Sequence, residues 1–70
     1  MENLLQKKVG KRIKEIRIEK NISQQGLADL CGMEATNMSR LEAGRANATL
    51  STIEVVSKNL GVEPYELFKF

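Results

Sequence analysis

Apolar residues recur along this chain at helical spacing. Over residues 4–20, Leu5, Val9, Ile13 and Ile16 share one stripe, the recurrence of an amphipathic helix. The lysines occupy the other faces, and Leu4 and Ile18 fall off the stripe. Gly10 interrupts this helix at a cost of about 1 kcal/mol against Ala, which close approach by another backbone would explain. Asn21 tolerates the left-handed conformation and is expected to end it. Ile22-Ser23 sets an apolar residue before a Ser N-cap. This opens a second helix over residues 24–31, with Leu27, Ala28, Leu30 and Cys31 facing inward and Gly26 at N3, where Glu or Gln would complete a capping box. Gly32 supplies a positive φ for a tight turn, and Met33 plugs the core after it. Glu34 is the N-cap of a third helix that Gly44 closes. Beyond a polar loop at residues 45–48, Thr49 caps a fourth helix over residues 50–60. Its inner stripe is Leu50, Ile53, Val56, Ser57 and Leu60, with Val55 off it and Gly61 as its stop. Pro64 at N1 starts a short fifth helix. The pattern predicts an all-α bundle of five helices, with no strand, as a single domain over residues 1–70.

The third helix, residues 35–43, divides its labour unusually. With ~100° between residues, Met38 and Leu41 fall on one side. Ala35, Thr36, Ser39, Arg40 and Ala43 take the opposite arc, which holds no large apolar residue. Small side chains, hydroxyls and one guanidinium suit close approach and hydrogen bonding. Two short helices joined by a glycine turn form a helix-turn-helix, here at about residues 23–43, whose second helix enters the DNA major groove.

Charge sharpens this picture. The formal net charge is only +2, but residues 1–20 carry seven basic side chains against three acidic ones, and a basic end on a small domain suits a polyanion. A solvated helix face would show the same charge. The chain has no histidine and one cysteine, so metal ligation, disulfides and most nucleophilic triads lack their parts; no enzyme activity and no cofactor are expected. Cys31 alone in an apolar pattern points to a reducing interior. No apolar run approaches a membrane span, and the first residues lack a signal peptide's apolar stretch. A cytoplasmic protein without membrane or small-molecule partners is expected.

Several groups then fall together at their spacings: Arg12-Ile13, Ile16-Arg17, Ile22-Ser23-Gln24, Leu27-Ala28, Gly32-Met33, the run Met38-Ser39-Arg40-Leu41-Glu42-Ala43-Gly44-Arg45, Leu50, Ile53, Leu60-Gly61-Val62 and Leu67-Phe68. In these, from about Gly10 to Phe68, the chain resembles the Cro/C1-type (XRE-like) helix-turn-helix repressors. The resemblance implies a lambda-repressor-like bundle in which positions matching Ala35, Thr36 and Arg40 face base edges. Ser39, on the same face, is a further base-contact candidate. Arg40 leads, because a bidentate guanidinium–guanine contact is the commonest specific readout; a surface salt bridge is its alternative. Gln24, Asn37 and Arg45 match phosphate-contacting positions, and Ser23 stands with Gln24 at a helix N-terminus that favours anions. Asn37 also reads as an ordinary polar helix residue. The resemblance makes Arg17 and Glu42 a partly buried ion pair holding helix one to helix three. Departures from the family pattern are Gly26, Glu34 beside expected phosphates, and Ala48 in place of proline.

One recognition helix reads few base pairs, so a homodimer on double-stranded DNA half-sites is expected. Val55, Leu67, Phe68 and Phe70 are the expected interface, because the tail 64–70 is apolar for the end of a small chain. The alternative is that these side chains close the domain's own core. The expected function is a transcriptional regulator of phage-repressor or restriction–modification controller type. An antitoxin of the same fold and a protein-binding module that has lost DNA are the competing readings. The first would need an added toxin-gripping segment. The second fits poorly with the basic first helix, Gln24 and Arg40.

Overall fold

Two hydroxyls begin two of the helices. Ser23 Oγ accepts the Gly26 N–H at 2.9 Å, and Thr49 Oγ1 accepts the Thr52 N–H at 3.1 Å, each satisfying a donor that a helix start leaves free. The computed structural model describes residues 4–70. Its elements are α1 (Leu4–Glu19), α2 (Gln24–Leu30), α3 (Ala35–Glu42) and α4 (Leu50–Leu60), followed by a 3-10 turn (Pro64–Phe68). The expected fifth helix is therefore a correction. Pro64 starts it as expected, but the helical run after the N-cap Glu63 is only five residues long, too short to settle into i→i−4 bonding. Among the described residues there is no strand.

All four α-helices end in the same way. Just past the last helical turn one residue takes a positive φ: Asn21 (58°), Gly32 (67°), Gly44 (76°) and the C-cap Gly61 (72°). The next N–H then reaches back five residues: Ile22 to Arg17, Met33 to Ala28, Arg45 to Arg40 and Val62 to Ser57. This is the Schellman closure, which normally adds an apolar contact from the last donor residue. Ile22, Met33 and Val62 supply that contact by packing on the core. Arg45 is the exception, charged and exposed.

The core is one cluster fed by every element: Val9, Ile13 and Ile16 from α1, Leu27 and Ala28 from α2, Met38 and Leu41 from α3, Ile53, Val56 and Leu60 from α4, and Leu67 from the turn. Ser57 is buried within it and satisfies its hydroxyl on the Glu54 carbonyl at 3.1 Å. The inward stripes are overdrawn at three points. Leu5, Leu30 and Leu50 are exposed, Leu50 at 86%. Each lies at or near a helix end, where the stripe outruns the neighbouring helices. Arg12 Nε donates to the Glu66 carbonyl at 2.9 Å, tying α1 to the 3-10 turn.

Candidate nucleic-acid interface

The third helix is mounted by one side and left open on the other. Met38, Leu41 and Glu42 are buried, whereas Thr36, Asn37, Ser39 and Arg40 are exposed and Ala35 is half-buried. The four residues expected to face bases thus share one open surface, with Asn37 on its flank. The turn after Ala43 carries Arg45 out to solvent at the end of the same helix. Glu34 is the N-cap, but its side chain makes no capping bond. Its exposed carboxylate stays at the start of the helix.

The mount begins with backbone contact. A Cβ on Gly10 would lie 2.3 Å from the Leu41 carbonyl oxygen and 2.8 Å from that of Glu42. No side chain fits there, so α1 and the last turn of α3 meet main chain to main chain. One turn earlier on α1, Lys7 holds the same relation to the turn after α3: a Cβ on Gly44 would sit 2.6 Å from its Cα. Gln6 adds a side-chain hydrogen bond to Asn47 in the following loop.

An ion pair completes the mount. Arg17 Nε donates to Glu42 Oε2 at 2.7 Å, and its terminal nitrogens donate to Glu42 Oε1 at 3.0 Å and to the Ile22 carbonyl at 2.9 Å. Gln24 Nε2 donates to the same Oε1 at 3.1 Å. The carboxylate is 3% exposed, and no buried side-chain polar atom among the described residues lacks a partner. Burial of such a pair is tolerable because every buried polar atom of both partners has a hydrogen-bond partner. The expected Arg17–Glu42 contact is present. The Gln24 bond has no sequence signal, since neither residue announces the other. It places Gln24 between the ion pair and the surface, so its expected phosphate role sits beside a structural one. Ser23 likewise spends its acceptor on the helix cap while remaining exposed.

Beside the open face lies a cleft of about 350 Å³ lined by Asn37, Arg40, Asn47 and Thr52 over Met33, Leu41 and Ala46. Its polar rim comes from α3, the α3–α4 loop and the start of α4, so Asn37 borders a groove as well as the reading face.

A model of the family described as "Helix-turn-helix" matches residues 13–67. The chain belongs to the helix-turn-helix family. It is similar to the control protein C.BamHI of Bacillus amyloliquefaciens, with 39% identity over 71 residues, all of this chain and 88% of that one. It is also similar to the immunity repressor protein of Bacillus phage phi105, with 38% identity over 55 residues, covering 79% of this chain and 38% of the repressor. Among solved structures, the restriction-modification controller protein C.AhdI from Aeromonas hydrophila superposes with a TM-score of 0.86 at 37% identity, over 89% of this chain and 94% of that one. By family and fold this is a helix-turn-helix transcriptional regulator of the XRE-like type, a fold that implies DNA binding.

The expected dimer surface of the helix-turn-helix protein needs one correction. Leu67 is completely buried in the domain's own core, because the 3-10 turn directs it between α1 and α4. Phe68, Phe70 and Val55 are exposed. Phe68 lines a cleft of about 270 Å³ with Leu5, Val9 and Ile53, whereas Val55 borders a separate one beside Cys31 and Met33. The Lys8 ammonium stands 5.4 Å from the Phe70 ring centroid. Leu50, read from sequence as a core residue, is instead the most exposed of the large apolar side chains among the described residues. Burial pushes the Cys31 thiol up, against a smaller opposing pull from the Asn59 side chain.

Proposed function

We propose that this chain is a cytoplasmic controller-type regulator that reads operator half-sites as a homodimer. Arg40, Thr36, Ser39 and Ala35 address base edges from α3, while Gln24, Ser23, Asn37 and Arg45 fix the protein on phosphates. The observation that carries this reading is the split of α3: Met38, Leu41 and Glu42 fasten it while every neighbouring polar side chain stays open. Similarity over its whole length to a control protein, and to a solved restriction-modification controller, supports that class. Exposed Leu50, Val55, Phe68 and Phe70 supply the apolar surface that joins two copies. Selecting duplexes from a random library tests it. The expected product is a two-fold repeat with half-site centres ~34 Å apart or a multiple of that. Recovery of unrelated sequences after repeated selection would overturn sequence-specific reading.

A further inference from the structure

The basic character of α1 is left unused by the reading face. Its cations are arranged asymmetrically. Counting ~100° per residue, Lys7, Lys11 and Lys14 fall within ~60° of one another, and the row starts ~40° from Gly10, the residue pressed on α3. All three are exposed, and neither ion pair among the described residues involves them. Glu15 and Glu19 lie on the shoulder away from α3, where Glu15 turns to Arg12 at 3.7 Å. Lys8, on that far shoulder, stands over Phe70.

Like charges at i,i+3 and i,i+4 destabilise a helix. In a domain this small, an unpaired row of them calls for a partner of opposite charge. The row is also continuous with the proposed phosphate contacts. Lys7 packs its backbone on Gly44, the neighbour of Arg45, and Lys14 lies one turn before Arg17, whose partner Glu42 also holds Gln24. From Lys7 to Lys14 the helix rises ~10 Å, which along the duplex axis matches about three phosphates of one strand at ~3.4 Å of axial rise each.

We propose that Lys7, Lys11 and Lys14 form a second polyanion-binding edge that grips the phosphate backbone of DNA flanking the bases addressed by α3. The inference rests on the DNA reading above and extends the footprint beyond the half-site.

The test uses a duplex selected by the protein itself, trimmed to the minimal site or extended by about one helical turn on each side. Affinity is followed against salt for wild type and for the combined K7Q/K11Q/K14Q variant, with Lys58→Gln as the baseline for losing a charge elsewhere. Each phosphate contact contributes ~0.9 to the slope of log K on log salt. The combined variant is expected to lose ~2–3 from that slope on the extended duplex and to keep the wild-type slope on the minimal one. Gln is close to Lys in helix propensity, and unchanged melting of the variant excludes misfolding; the three single variants, each lowering the slope by ~0.9, serve if it does not fold. A wild-type slope retained on the extended duplex would overturn the flanking grip while leaving the α3 reading intact. Absence of salt-dependent binding by wild type to either duplex would remove both.

Discussion

Glu42 receives Arg17 through two nitrogens, at 2.7 and 3.0 Å, and this pair is the one buried charge contact joining α1 to α3 among the described residues. With the carboxylate 3% and the guanidinium 10% exposed, removal of either partner strands a buried charge. Glu42→Ala is expected to cost about 3–5 kcal/mol, measured by urea denaturation. An Arg17→Met, Glu42→Leu double variant should recover much of that loss.

Gly10→Ala should destabilise, although Ala is worth ~1 kcal/mol over Gly in a helix interior. The added Cβ meets two backbone carbonyls, at 2.3 and 2.8 Å, and main chain cannot rotate aside as a side chain does. A loss on the order of 1–3 kcal/mol is expected, with weaker operator binding because α3 must shift. A higher melting temperature would contradict the main-chain contact.

Much of this was legible in the sequence. Ser23, Thr49, Asn21, Gly32 and Gly44 mark helix ends by local chemistry, and each acts where its residue type says it should. Gly10 was legible too, as a residue whose cost needed a neighbour. Leu30 and Leu50 misled because periodicity names a face without saying how far along that face another helix extends. Leu67 and Phe68 could not be told apart: a single 3-10 turn has no period, so which side chain it buries is decided by α1 and α4. The Gln24–Glu42 bond joins residues 18 apart, and only the crossing of α2 and α3 brings them together.

Leu67 and Leu50 should therefore respond differently to the same change. Leu67→Asp places a carboxylate in a closed core and is expected to unfold the protein, seen as loss of helical circular dichroism. Leu50→Asp or Phe68→Asp should preserve the helices and lower the sedimentation mass from dimer to monomer. Unchanged mass in both would refute these side chains as the joining surface.

Arg40 and Arg45 test the proposed division between reading and holding. Arg40→Ala should weaken cognate DNA by about 1–3 kcal/mol more than random DNA. Arg45→Ala should weaken both alike and lower the salt slope by ~1. Equal losses at both positions would refute the division.

Gln24→Ala combines the two effects. It removes a bond to a buried carboxylate, with a stability loss of about 1.5–3 kcal/mol, and takes away the proposed phosphate donor, so cognate and random DNA should both bind less well. Thermal melting together with a binding titration checks the pair. Loss of affinity without loss of stability would place Gln24 on the DNA alone.

The main-chain seat of α3 at Gly10 and Gly44 leaves the outward residues Ala35, Thr36, Ser39 and Arg40 without responsibility for the helix's position. On the proposed reading those four are exchangeable as a set, which would retarget the protein to a new operator on an unaltered scaffold. A lineage that must recognise many promoters could diversify through these positions while its architecture stands still.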